Sequence, residues 1–362
     1  MNDAIEMTEE CVTQKVQPLC PVFGECGGCQ YQDIPYEEEL RLKENQLKKL
    51  FTEHLSICDE LFESIMPSAQ HYHYRDRLDL KLLKTKQGEV SVGFSPEKRF
   101  KIVAVDQCPI ARREISDFLP ELKRQAVIRL PAKYRVANLV VRCGDSHRVH
   151  WGGIGRRSLE LKPQDYFFTE IRGQKIFYSL DTFFQANLAI LPVLMEKIRG
   201  LAIWKSKPTF YDLYGGVGLF AIALRDCASR VFLVEESVAS IKLAQFNKDY
   251  HGFNNFEIIS GRVEDHLPGL LEIPEEKENQ NVAMIDPPRA GLSSTALTTL
   301  SSTRNLSAIL YLSCHPESLV RDLKIFLQHS WRIQNIWPLD FFPRTKHIET
   351  LVVLKPPNNL HH

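Results

Sequence analysis

Between residues 36 and 55 the apolar positions Leu40, Leu47 and Leu50 fall on one stripe of YEEELRLKENQLKKLFTEHL, the spacing of an amphipathic helix. From about 71 to 180 the period shortens. LDLKLLK, VSVGF, KIVAV, ANLVVRC and RVHWG are short alternating segments separated by turn residues, which predicts a mainly β region. After 181 the pattern changes again. TFYDL, VFLVE, VAMID and AILYLS are compact apolar segments alternating with helical stretches, as in a parallel α/β sheet. HIETLVVLKP predicts a closing strand. Residues 1–18 are polar and expected to be disordered. The chain thus divides into that tail, a β-rich region over 19–180 and an α/β domain over 181–362.

Composition adds limits. The chain has 362 residues, 44% hydrophobic and 25% charged, which excludes wholesale disorder and coiled coil and allows two domains. No run of about 18 apolar residues exists, so no membrane-spanning helix is expected. The acidic start MNDAIEMTEECVTQK lacks a secretory signal. A cytoplasmic monomer is the simplest expectation. The 45 Lys+Arg balance 45 Asp+Glu, yet residues 74–175 hold 22 basic against 12 acidic side chains, a net of +10. A basic middle segment points to nucleic acid as partner.

Candidate chemistry begins at TFYDL, which runs into Tyr214-Gly215-Gly216-Val217-Gly218 and then a helical stretch. Glycines there let the chain turn tightly and a ligand approach the helix N-terminus. Glu235 ends the next strand, where a carboxylate can accept hydrogen bonds from an adenosine ribose. The third dinucleotide glycine is missing, and no cation in the loop would hold a pyrophosphate. That favours S-adenosyl-L-methionine over NAD. The strand VAMI delivers Asp286-Pro287-Pro288-Arg289, whose prolines hold the chain extended toward the crevice. Arg289 stands where amine-directed methyltransferases need an aromatic, so an exocyclic amine is disfavoured as acceptor. AILYLS then places Cys314 at a strand end, over the same crevice.

Three cysteines, Cys20, Cys26 and Cys29, have the spacing C-x5-C-x2-C, and Cys108 lies far downstream before Pro109. Four thiolates can hold zinc or an iron–sulfur cluster. Zinc sites more often use two paired knuckles, and Gly27 and Gly28 leave room for a bulkier group, so the layout favours the cluster. Cys11 has no partner in this scheme. Cys58, Cys143 and Cys227 read as buried structural cysteines.

The set DLYGGVG, IDPPRAGL, YLSCHPESLVRDL and FFPRTKHIETLVVL, with CPVFGECGGCQYQ near the start and DTFFQAN at 181–187, resembles the class I RNA uracil-5-methyltransferase family over nearly the whole chain. The resemblance implies a Rossmann-like methyltransferase domain preceded by a smaller β-rich, cluster-bearing RNA-binding domain. It implies Cys314 as nucleophile, Glu349 as general base, and Gln185, Tyr214, Gly216, Glu235 and Asp286 around the cofactor. It also implies a four-iron, four-sulfur (4Fe-4S) cluster on Cys20, Cys26, Cys29 and Cys108, as in ribosomal-RNA members. Many relatives begin with an extra oligonucleotide-binding barrel, for which the few residues before Cys20 leave no room. This sequence departs from the pattern at His315, usually Asn; at Gly215, more often Cys or Ser; at Arg344, often His; and at Arg262, where a polar adenine contact is expected.

The chemistry explains these residue types. Carbon 5 of uracil is too weak a nucleophile to take a methyl group unaided. A thiolate adding to carbon 6 makes it an enolate, and a base must later remove the carbon-5 proton. The expected substrate is an unstacked uridine, in 23S ribosomal RNA, with tRNA as the alternative. Three other readings compete, of which a redox enzyme using the cluster with a nucleotide cofactor leaves SCHP and HIET unexplained. A cytosine-5 enzyme would carry its nucleophile in a Pro-Cys motif, where this chain has Asp-Pro-Pro. A non-catalytic iron–sulfur RNA-binding protein would have lost Cys314 or Glu349, and both are present.

Overall fold

The computed structural model describes residues 14–96, 102–155, 158–272 and 281–357. Cys11, His361, His362 and most of the tail expected to be disordered lie outside them.

The larger sheet has seven strands: β8 (Thr209–Leu213), β9 (Arg230–Glu235), β10 (Phe256–Ser260), β11 (Asn281–Ile285), β12 (Ala308–Ser313), β13 (Arg332–Leu339) and β14 (Glu349–Lys355). Their spatial order is β10-β9-β8-β11-β12-β14-β13. The first five run parallel, and β14 inserts antiparallel between β12 and β13. Helices α3 (Leu191–Arg199), α4 (Leu219–Ala223), α5 (Val238–His251), α6 (Val263–Leu271), α7 (Ser294–Ser302) and α8 (Pro316–Gln328) accompany it. Strands β8, β11 and β12 are buried along their whole length. Hence they read as continuous apolar runs, not alternating ones. Their side chains still split by parity: Phe210, Met284 and Leu310 enter one core, Tyr211, Ala283 and Ile309 the other.

The smaller sheet is antiparallel, in the order β3-β2-β1-β4-β5. Its strands are β1 (Arg77–Lys84), β2 (Val90–Phe94), β3 (Val103–Ala104), β4 (Val136–Cys143) and β5 (Val149–Gly152). Leu78, Leu80 and Leu82 of β1 bury one face with Leu139 and Val141, under a helix α2 (Arg113–Arg129) that contributes Ile115, Leu119 and Leu122. This helix lies in the stretch expected to be β. Its apolar spacing is helical, but Pro120 sits inside it and hides the pattern. The ring is exposed, and only the hydrogen bond to the Ser116 carbonyl is forfeited.

The helix expected at 36–55 forms over those residues as α1 (Tyr36–Leu55). It packs against α8, with Leu47, Leu50 and Phe51 in the second core of the larger sheet. A hairpin, β6 (Phe167–Ile171) and β7 (Gln174–Tyr178), likewise puts Phe167, Ile176 and Tyr178 into the first core. Sorted by core, then, α1 and this hairpin go with the methyltransferase-like sheet, although both precede the boundary expected at 180. Sequence order and packing order differ because the chain crosses to the larger sheet before and after building the smaller one.

Candidate active site

The C-terminal ends of β8, β11 and β12 open on one crevice. After β8 the chain turns through Tyr214 (φ 62°), Gly216 (φ 56°) and Gly218 (φ 94°). Gly218 sits immediately before α4. Glu235, at the end of β9, accepts from the Gly216 N–H at 2.9 Å and the Ser237 N–H at 2.7 Å. The carboxylate expected to meet a ribose therefore lies against the glycine loop. Asp212, not singled out from sequence, is buried beneath the loop and accepts from the Ala221 N–H at 2.8 Å; burial pushes its carboxyl up to about 8. A Cβ on Gly215 would lie 2.6 Å from Leu233 Cγ, which is why this chain carries glycine there. Arg262 precedes α6 and is paired with Glu264.

The insertion of β14 brings Glu349 beside Cys314. Ser313 of β12 is paired in register with Thr350, so an antiparallel strand starts where β12 ends. Glu349 is buried, and its Oε2 has no hydrogen-bond partner among the described residues. Asp286 joins them from the end of β11, and Gln185 Nε2 donates to its Oδ2 at 3.1 Å. Burial, then the Glu349 and Asp286 charges, push the Cys314 thiol up to about 11; Arg289 opposes them, through a hydrogen bond to Cys314 and its charge. Burial and the neighbouring Asp286 hold Glu349 well above the usual carboxylate range, and burial also raises Asp286. Arg289 thus faces two carboxylates and a thiol.

His315, where the family pattern has Asn, follows Cys314 at the start of α8. Its Nδ1 caps α8 by accepting from the Ser318 N–H at 3.3 Å, and the Ser318 hydroxyl donates to the Arg289 carbonyl at 2.7 Å. The cap thereby ties the Asp-Pro-Pro-Arg loop to the turn that carries Cys314.

A further positioning residue was not foreseen. Arg142, fully buried at the end of β4, donates to the carbonyls of Ser179 (2.9 Å), Thr182 (3.1 Å) and Phe184 (3.3 Å). Tyr178 stacks on Phe184 with centroids 4.1 Å apart. Together they fix the loop that presents Gln185. Asp76 Oδ2 lies 3.6 Å from Arg142 Nε as its counter-charge. The only trace in the sequence is an arginine inside the apolar run ANLVVRC.

Cys20, Cys26, Cys29 and Cys108 line one cavity of about 280 Å3, although Cys108 is remote in sequence. Gly28 N–H donates to Cys26 Sγ at 3.4 Å. Burial pushes the Cys29 thiol up to about 12 and Cys108 up to about 11. Among the described residues, no three Cys, His, Asp or Glu side chains converge on a point where a single ion would bind. Arg289 and His347 line the same cavity, so the cysteine pocket shares a wall with the Cys314 crevice. Arg344 is buried beside it, donating to the Ile34 carbonyl at 3.0 Å. Of the cysteines expected to be buried and structural, Cys143 is buried, Cys227 is half-buried and Cys58 is exposed, lying just before a short 3-10 turn where no core reaches it.

The family model described as tRNA (Uracil-5-)-methyltransferase matches residues 156–356. An uncharacterized RNA methyltransferase of Caldanaerobacter subterraneus is 28% identical, over 94% of this chain and 85% of that protein. One of Clostridium tetani is 27% identical over 98% and 87%. Among solved structures, the tRNA (uracil-54, C5)-methyltransferase of Pyrococcus abyssi, in complex with S-adenosyl-L-homocysteine, superposes with a TM-score of 0.67. It covers 90% of this chain and 85% of that one at 23% identity.

Proposed function

Because the chain belongs to the tRNA (uracil-5-)-methyltransferase family, and is thus an S-adenosylmethionine-dependent RNA methyltransferase, we propose that it methylates carbon 5 of a uridine in 23S ribosomal RNA. The observation that carries the chemistry is the meeting of Cys314, Glu349, Asp286 and Gln185 at one crevice, from four separate segments.

In this reading Cys314 adds to carbon 6 of a flipped uracil, and the neighbouring Arg289 favours the thiolate. S-adenosylmethionine supplies the methyl group to carbon 5. Glu349, aimed into the crevice with a free oxygen, then takes the carbon-5 proton, and the thiolate leaves. Gln185 and Asp286 orient cofactor and base through their shared hydrogen bond, and Glu235 accepts from the ribose.

The four cysteines fit a 4Fe-4S cluster better than zinc. A single zinc needs every thiolate within about 2.3 Å of one point; thiols spread around a cavity suit a larger group. When bound, the cluster would cross-link the 20–29 segment to Cys108, next to α2. The tRNA alternative rests on the family's own description.

Mapping 5-methyluridine in 23S rRNA and tRNA from cells lacking the gene tests both readings. Loss from one 23S position supports the proposal. Loss only from tRNA replaces its substrate, and loss from neither overturns it.

A further inference from the structure

The net charge of the middle segment is unevenly spent. Arg75 donates to the Arg77 carbonyl and lines the cysteine cavity; Arg77 is clamped on Asp79 and the Leu180 carbonyl. Arg112 is paired with Asp145, Arg172 with Glu196, and Arg142 is buried. None of these is a free phosphate clamp. Lys84, Lys133 and Arg135, by contrast, have no acidic partner among the described residues, and two segments, β1 and the turn before β4, bring them to one end of the smaller sheet. Lys84 N–H donates to the Arg135 carbonyl at 2.7 Å, and Leu83 pairs in register with Val136; by strand alternation Lys84 lies on the side of Leu78, Leu80 and Leu82, and Lys81 on the opposite face. Among them stand exposed apolar side chains: Tyr134 is 51% and Val136 58% exposed, and Lys133 Nζ lies 5.3 Å from the Tyr134 ring centre.

We propose that this end of the smaller sheet, built on Lys84, Lys133, Arg135 and Tyr134, is a second RNA-docking surface that grips the substrate away from the reacting uridine. This rests on the RNA-methyltransferase reading. Unpaired cations around an exposed aromatic ring are what phosphates and an unstacked base recognise together. A protein partner would more simply meet an apolar patch without three like charges. Strand β1 sets the distance. It begins at Arg77, bonded to the loop that carries Gln185, and ends at Lys84; seven steps at ~3.3 Å give about 23 Å. RNA must extend that far from the target to use the surface, so short substrates do not feel it.

The test compares a long hairpin RNA with an oligouridine too short to span that distance, using full-length K133E/R135E and Y134A proteins whose S-adenosylmethionine affinity, measured calorimetrically, certifies the fold. K133E/R135E is expected to weaken hairpin binding about tenfold or more and to flatten its salt dependence by roughly one log unit per lost contact. Y134A should weaken it several-fold with the salt slope unchanged. The wild-type preference for the hairpin over the oligouridine should collapse. Hairpin affinity and slope equal to wild type would overturn the proposal. So would a concentration-dependent dimer abolished by the charge reversal, with RNA binding intact, which would make this a protein interface. Wild type that binds neither RNA at any salt would sink the RNA reading itself.

Discussion

Two carboxylates and a thiol packed together, Glu349 buried among them, cannot all ionise beside the Arg289 guanidinium. Burial raises Cys314, Glu349 and Asp286 alike, which favours retention of protons among them. A sulfonium entering that field favours the ionised forms, lowers those values and drives protons out. Calorimetry of S-adenosylmethionine binding in buffers of different ionisation enthalpy should show net proton release. The effect should shrink in Glu349→Gln, and proton uptake would contradict this charge arrangement. The two reacting residues separate by what each variant traps. Cys314→Ala should bind RNA and cofactor yet form no covalent adduct. Glu349→Gln should still permit attack and methyl transfer, since both precede proton removal. Losing a general base costs on the order of a hundredfold or more, so a protein–RNA conjugate that survives denaturing electrophoresis should accumulate. An adduct in Cys314→Ala would name another nucleophile.

Arg142 and Asp76 act at the scale of the loop between β7 and α3. Replacing Arg142 with Met removes three hydrogen bonds to that loop and strands a buried carboxylate, a cost of about 3–5 kcal/mol. Adding Asp76→Leu removes the stranded charge and should restore much of the melting temperature. If Arg142 also positions Gln185, the double variant remains slow, with kcat reduced more than KM for S-adenosylmethionine. Recovery of kcat along with stability would reduce Arg142 to a structural role. This coupling was not legible in the sequence, because one arginine in an apolar strand does not say which carbonyls it will meet. Helix α2 escaped for a different reason: its stripe of Ile115, Leu119, Leu122 and Ala126 is regular, but Pro120 reads as a break unless its exposed position is known. His315, a departure from the family pattern, has its ring nitrogen capping α8, a role the sequence motif alone did not state.

At the scale of the whole molecule, short motifs at strand ends were the most legible feature, since β8, β11 and β12 each carry their chemistry immediately past an unmistakable apolar run. What no motif carries is long-range packing. Helix α1 precedes the smaller sheet in sequence yet is locked to the larger one. Its buried Lys43 bridges Glu39 and Asp340 at 2.7 Å each, just before the segment that supplies Phe342, Thr345 and His347 to the cysteine cavity. That cavity therefore has walls from the 20–29 segment, the smaller sheet and the larger sheet together. A group held there would clamp all three, which sets the final prediction. Protein prepared without oxygen should be brown and hold about four irons per chain, with broad near-visible absorbance. Removing the cluster, or replacing Cys108 with Ser, should lower the melting temperature and expose the 20–29 segment to proteolysis, since binding to the folded state alone stabilises it. A colourless protein with one stoichiometric zinc would refute the cluster while leaving the Cys314 chemistry standing. An iron-loaded protein whose melting and proteolysis ignore cluster loss would instead show that the cluster does not clamp these elements.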